Sequence, residues 1–140
     1  MPSEEQVIEA CKPGQILHLY CGFTNPPKDK FLVVVQTEPL WLLIINSVIH
    51  SFVQKNQTLL NCQVKIDCAA HTFLEYDSYI DCSKIIDEIE IDRVHQILTY
   101  HFHNSKGKIS DAVKTRIIEA VTNNPLLSSN EKEIICNNLS

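Results

Sequence analysis

Two apolar runs separated by four residues constrain the fold of this chain more than any other feature. The first run is Phe31–Gln36 and the second is Trp41–Asn46, and Thr37-Glu38-Pro39-Leu40 separates them. Short runs rich in Val and Ile around a turn that contains proline are typical of strands with both faces buried. We therefore predict a central antiparallel hairpin that other elements cover on both sides.

Three further segments have the character of strands. Gln15–Cys21 places apolar or β-branched residues at alternate sites, Asn61–Ile66 alternates in the same way, and Ser78–Cys82 follows a polar turn. Five strands of this length are too few for a sandwich and suit a small closed antiparallel barrel. The predicted barrel covers residues 12–85.

Helical signals lie at the two ends of the chain. Ser3-Glu4-Glu5-Gln6 has the form of a capping box and predicts a helix over about residues 4–11. From Ile86 onward the apolar positions recur at helical spacing, which predicts one helix to Phe102, a second from Ser110 and a third from Ser128. The chain is thus predicted to be one domain, residues 1–140, with a helical tail over 86–139.

Composition limits the classes of function. The 140 residues carry 12 Lys and Arg against 17 Asp and Glu, and the net charge of −5 provides no global field that would attract phosphates. The six cysteines lie in no secretory context, so we expect reduced thiols, and they contain no CxxC pair, so we expect no metal site. No cofactor is expected. The N-terminus lacks the features of a signal peptide, and no apolar run could span a bilayer, so the expected location is cytoplasmic, without membrane attachment.

A set of short motifs in order along the chain resembles the PemK/MazF-like toxin family. The opening Lys12-Pro13-Gly14-Gln15-Ile16, the Gly22–Lys30 loop before the first apolar run, and the Leu42–Ser47 strand each resemble a family feature. Ser78–Ile85 resembles the late strand that carries an aspartate. The resemblance covers roughly residues 12–103.

This resemblance implies an SH3-like barrel that forms a homodimer, cuts single-stranded RNA without a metal and is neutralised by an antitoxin protein. The family's loop carries an arginine before proline, whereas this chain has Pro26-Pro27-Lys28-Asp29-Lys30 and no arginine before Arg93. Metal-free cleavage of RNA needs a base, an acid and a fixed cation for the phosphate charge. Lysine supplies that cation less rigidly than arginine does.

The catalytic residues expected from the resemblance are Lys28 or Lys30 to hold the phosphate, Ser47 to position it and Asp81 as a base. Phe23, beside the two lysines, is the candidate for base stacking. Structural alternatives stay open: Asp81 could accept turn hydrogen bonds, and Ser47 could cap the turn that follows it.

Two other interpretations also stay open. The basic cluster of Lys106, Lys108, Lys114 and Arg116 is a second candidate for nucleic-acid contact or an ordinary solvated surface. The barrel without its arginine could instead be a catalytically inactive module that binds a partner protein. The six histidines show no spacing that indicates a shared metal, and His18, in the middle of a predicted strand, is expected to be packed or at the surface.

Overall fold

One six-stranded antiparallel sheet forms the centre of the protein. The computed structural model describes residues 1–140. The strands are ordered β4-β5-β3-β2-β1-β6 across the sheet. Their bounds are Gln15–Cys21 (β1), Lys28–Gln36 (β2), Trp41–Asn46 (β3), Gln63–Ile66 (β4), Ser78–Ile86 (β5) and Ser105–Lys108 (β6).

The two apolar runs form the central hairpin, as predicted. Phe31 pairs with Ile45 and Val33 with Leu43, and this register continues until an irregularity near the turn. Both strands have neighbours on their other edges, β1 beside β2 and β5 beside β3. Continuous apolar sequence suits this position because both sides of each strand face a packed layer.

Helices cover both sides of this hairpin. The six α-helices are Glu4–Glu9 (α1), Ser51–Gln54 (α2), Gln57–Leu60 (α3), Ile91–Tyr100 (α4), Asp111–Thr122 (α5) and Ser129–Leu139 (α6). The α1–α4 side carries Leu32, Val34 and Leu42, which pack with helices α1 and α4. The α5–α6 side carries Val33 and Leu43, which pack with helices α5 and α6.

The helix starts follow the capping signals in the sequence. The Ser3 and Ser128 side chains each form a complete capping box, and the Ser110 hydroxyl accepts a hydrogen bond from the backbone N–H of Val113. These bonds satisfy N–H groups that a helix leaves unpaired in its first turn. The last helix is also tied to the sheet, because the Asn138 side-chain amide donates to the carbonyl of Val35 at 3.0 Å.

The rear part of the chain departs from the predicted helical tail by returning a strand to the sheet. Strand β6 pairs with β1, with Gln15 opposite Lys108 and Leu17 opposite Ser105, and the register shifts between these pairs. Gly107 has φ +90° within this irregularity, a conformation that favours glycine. The sequence of β6 is polar and four residues long, so no alternation of apolar residues marks it as a strand.

The mainly β front part and the helices behind it are confirmed, and the sheet is a curled half-barrel. The two outer strands, β4 and β6, do not pair with each other. Helices α5 and α6 share one apolar core with the sheet residues on the side that they cover. The short helices α2 and α3, four residues each, lack the length for a periodic signal and were not predicted.

The helices are short or amphipathic throughout the fold. None of them combines the length and apolar character that crossing a bilayer requires.

Candidate functional site

An open groove lies at the end of the sheet where β2 begins and β3 ends. Its volume is about 400 Å³, and it is lined by residues of β1, β2, β3, β5 and the loop before β5. Residues two apart on a strand lie on the same side of a sheet. His18 therefore lies on the α5–α6 side with Ile16, and Phe31 lies there with Val33. The groove begins where the packed core of that side ends.

Stacked rings form the wall between the groove and the core. The ring centroids of His18 and Phe31 are 4.4 Å apart with an interplanar angle of 28°. Phe31 contacts Phe73 at 4.9 Å, and Phe73 lies edge-on to His71 at 6.3 Å. This row of four rings joins β1 to the loop before β5, so the position of His18 depends on that loop.

His71 fixes the loop to the beginning of α5. Only 3% of His71 is exposed. Its Nε2 accepts a hydrogen bond from the backbone N–H of Ser110 at 3.0 Å, and its Nδ1 lies 2.9 Å from the carbonyl oxygen of Asp67. Because Nε2 accepts, the ring proton sits on Nδ1 and is donated to Asp67. Both ring nitrogens are thus used in holding the loop.

His18 is the groove residue best suited to accept a proton. Its partial burial lowers the pKa of the imidazole, and the charges of Lys106 and His103 lower it further, while Asp29 raises it. Asp29 borders the same groove. A histidine with a lowered pKa is neutral at neutral pH and has a free nitrogen lone pair, which is the state that a general base requires.

Three of the four predicted catalytic residues, Lys28, Lys30 and Ser47, border the groove. In strand register the two lysines share the α1–α4 side with Leu32, whereas His18 is on the other side. The ammonium group of Lys30 donates to the Asn46 side-chain oxygen at 2.8 Å, and burial lowers its pKa, as does the charge of Lys28. Lys28 is exposed and has no ion-pair or hydrogen-bond partner, so it is the lysine free to turn toward a ligand at the rim.

Asp81 does not line the groove. Ile80 and Cys82 face the α5–α6 core, so the Asp81 side chain between them lies on the α1–α4 side. Its Oδ1 accepts hydrogen bonds from Gln63 Nε2 at 3.1 Å and from the Ser83 backbone N–H at 2.9 Å, and also from the Ser83 hydroxyl at 2.6 Å. These bonds correspond to the structural alternative that the sequence left open for this aspartate.

Phe23 also lies away from the lysines' groove. It borders a second depression of about 530 Å³ between β1 and helix α4. Leu19 and Ile97 contribute apolar surface there, Glu88 and Glu90 contribute negative charge, and Arg93 contributes positive charge. Phe23 therefore lies apart from the two lysines that it was expected to accompany.

The sequence did not single out His18, Asp29 or Phe73 as members of a site. In the sequence, His18 looks like an ordinary strand residue. The alternation of β1 predicts which side of the sheet His18 faces, but it does not show that the helices on that side end before they reach it. Only the paired register of β1, β2 and β3 brings it beside Asp29 and Ser47. No cluster of three or more His, Cys, Asp or Glu side chains has a geometry that could hold a metal ion.

Comparison with known proteins adds no family assignment. No protein-family model matches the chain, and no curated protein matches it either. The function must therefore be inferred from the groove itself.

Proposed function

We propose that the groove binds single-stranded RNA and that the protein is a metal-independent endoribonuclease of the PemK/MazF-like type. The observation that carries this proposal is the placement of His18, half-buried and beside Asp29, in an open groove bordered by Lys28 and Ser47. Phe73 and Tyr76 supply aromatic surface at the same groove. Aromatic rings and a nearby cation are the elements that bind bases and phosphates of single strands.

The chemistry would be an internal transesterification. His18 takes the proton of a ribose 2′-hydroxyl, and the 2′ oxygen forms a bond to the adjacent phosphorus. The bond from phosphorus to the 5′ oxygen breaks, and that oxygen takes a proton from solvent at the open groove. The products are a 2′,3′-cyclic phosphate and a 5′-hydroxyl. Lys28 supplies positive charge near the phosphate, and the Ser47 hydroxyl donates a hydrogen bond to it.

Binding is tested by fluorescence anisotropy with an end-labelled single-stranded RNA. We expect Lys28→Ala to weaken binding at least fivefold, because each phosphate contact adds to affinity. Lys84→Ala is the matched control, since Lys84 is an exposed lysine on β5 that does not line the groove. Equal weakening by both variants, or no binding by the unaltered protein, would overturn the RNA-binding proposal.

Cleavage is tested separately, with mass spectrometry of the RNA products in the presence of EDTA. The unaltered protein should produce 2′,3′-cyclic phosphate ends, and His18→Gln should reduce the rate by roughly 100-fold, the usual contribution of a general base. An RNA with a single 2′-deoxynucleotide at the cut site should stay intact. Cleavage of equal rate by His18→Gln would exclude His18 as the base.

The resemblance to the PemK/MazF-like family extends the proposal to architecture and partners. We propose that the half-barrel is a divergent SH3-like barrel, that two copies form a homodimer, and that an antitoxin protein neutralises the activity by covering the groove. The succession of β1, the loop before β2, and the β2–β3 hairpin supports the kinship. Elution from a sizing column as a stable monomer would contradict the dimer. Growth unaffected by expression of the intact chain would contradict a toxin.

A second candidate function is a protein-binding module without catalysis. It is favoured by the depression beside α4, where Phe23, 37% exposed, and Tyr20, 64% exposed, adjoin the apolar side chains of Leu19 and Ile97. Exposed aromatic residues next to apolar surface are enriched in protein interfaces. RNA left uncut together with a partner whose binding is lost in Phe23→Ala, but not in His18→Gln, would favour this function.

A further inference from the structure

We propose that the RNA site continues from the groove across β1 to strand β6, where Lys106 binds a second phosphate of the same RNA strand. This inference rests on the proposed RNA binding and adds a subsite to it. The group that Lys106 binds is a phosphodiester at least one nucleotide along the RNA from the phosphodiester in the groove.

Strand register places Lys106 on the side of the sheet that carries His18. Ser105 pairs with Leu17, which is buried on the α1–α4 side. Ser105 shares that side, and it borders a small depression there together with Ala10 of the segment after α1. The next residue, Lys106, points to the opposite side, because successive residues of a strand alternate. His18, one residue after Leu17, also lies on that opposite side.

Charge effects agree with this placement. The charges of Lys106 and His103 both lower the pKa of His18, whereas Lys108 acts on Glu9, which belongs to helix α1. Lys106 and Lys108 belong to one short strand, yet they influence groups on different sides of the sheet. The shift in register at Gly107 accounts for a difference of side between residues two apart.

The ammonium group of Lys106 is available for a ligand. Some lysines are occupied: Lys12 pairs with Glu9 at 2.8 Å, Lys65 pairs with Asp77 at 3.3 Å, and Lys30 donates to Asn46. Like Lys28, Lys106 has no such partner. Lys106 is half-buried, and it belongs to none of the four ion pairs and to none of the side-chain hydrogen bonds formed by lysines. A partly desolvated cation without a partner favours an anion more strongly than a fully solvated one does.

The path between the two subsites follows neighbouring strands. Ser47 follows β3, Asp29 and Phe31 belong to β2, His18 belongs to β1, and Lys106 belongs to β6, in the order of the sheet. With neighbouring strands about 4.8 Å apart, the component of this path across the strands, from β3 to β6, is about 14 Å. Lys28 and Lys106 are offset in opposite directions along the strands from His18, so an extended strand of RNA that crosses the sheet obliquely would pass His18 between its two phosphate contacts.

The experiment compares two RNA lengths and two lysines of the same strand. A dinucleotide has one internal phosphate and can occupy the groove alone, whereas an octanucleotide can reach β6. We expect Lys106→Ala to weaken octanucleotide binding at least fivefold and to leave dinucleotide binding, followed by NMR titration, unchanged. Lys108→Ala should change neither. The slope of log K against log salt for the octanucleotide should fall by about 0.7 in Lys106→Ala, as for one lost contact with a single strand.

The outcomes separate this inference from the proposed function. If both RNAs bind but Lys106→Ala and Lys108→Ala bind the octanucleotide equally, the second subsite is wrong and the groove site stands. If neither RNA binds the unaltered protein, the proposed function fails and the subsite with it. A single-stranded DNA octamer that binds as tightly as the RNA would show phosphate recognition without the RNA preference, and so would overturn the RNA part of the proposal.

A measurement without any RNA tests the placement of Lys106. NMR titration of the His18 ring should show a higher pKa in Lys106→Ala than in the unaltered protein, because a nearby positive charge has been removed. Lys108→Ala should leave the His18 titration unchanged. An identical His18 titration in all three proteins would show that Lys106 does not face the groove.

Discussion

The helix-covered half and the groove half of the α5–α6 side are made by the same three strands. In the covered half, β1 contributes Ile16, β2 contributes Val33 and β3 contributes Leu43, all with 0% exposure. One step of two residues along each strand leads to the groove, where His18, Phe31 and Ile45 line its inner part. The two halves share backbone geometry, register and side, and they differ in what covers them and in their side chains.

This difference shows how the fold separates stability from function. Under α5 and α6 the side chains are aliphatic because water is excluded and each buried apolar group stabilises the folded state. Where the helices end, the partly exposed rings of His18 and Phe31 replace aliphatic side chains on β1 and β2, while Ile45 on β3 stays buried. Substitutions should therefore change mainly stability in the covered half and mainly binding in the groove half, and the following experiments test that division.

The largest effect is expected in the covered half from Leu43→Ala. It removes a side chain that is fully buried beneath α5 and α6, and it should reduce the free energy of unfolding by about 2–5 kcal/mol. Urea denaturation measures the change. Val48→Ala is the control, because Val48 is 60% exposed just after the same strand and should change stability by less than about 0.5 kcal/mol. Equal losses would break the division.

A smaller loss of stability is expected from His71→Leu, at the boundary between the halves. Without Nε2, the backbone N–H of Ser110 loses its acceptor, which should cost about 1–3 kcal/mol. Hydrogen exchange should become faster at Leu74 and at the first turn of α5. His50→Leu is the control, because the exposed His50 makes no side-chain cap bond. Unchanged exchange in His71→Leu would show that the loop is held by other contacts.

A still smaller effect concerns the pH dependence of stability through His18. Burial lowers the pKa of His18 in the folded state. Between that lowered value and the ordinary value of about 6.5, the unfolded chain binds more protons, so stability falls as the pH is lowered from above 6.5 through this window. His18→Phe, measured by urea denaturation at several pH values, should lose less stability on acidification. The same pH profile for both proteins would contradict the burial of His18.

The smallest effect on stability is expected from Lys28→Ala in the groove half. Lys28 is exposed and has no partner, so the free energy of unfolding should change by less than about 0.5 kcal/mol while RNA binding weakens. Urea denaturation and anisotropy on the same sample measure the two quantities. A large loss of stability would show that the groove also supports the fold.

The central features of the fold could be predicted because they depend on local signals. The β2–β3 hairpin follows from two apolar runs, and the starts of α1, α5 and α6 follow from serine caps. Strand β6 could not be predicted, since Ser105–Lys108 joins the sheet through long-range pairing with β1 and contains no apolar residue.

The site was harder to predict than the fold because it depends on where two layers stop overlapping. The family resemblance assigned Lys28, Lys30, Ser47 and Asp81 to one site, and the first three border the groove. It did not show that Asp81 would face the other side or that His18 would emerge at the end of the helical cover. Both facts depend on the register between strands that are distant in sequence.

The bond from Asn138 to Val35 has a kinetic consequence. It joins residues 103 positions apart, and the neighbouring Ile135 and Leu139 complete the same core. Closing so long a loop carries an entropic penalty before any contact compensates for it, and chains dominated by distant contacts fold slowly. We therefore expect the hairpin to form early and the docking of α6 to come late, with the central strands exposed to other chains until it does.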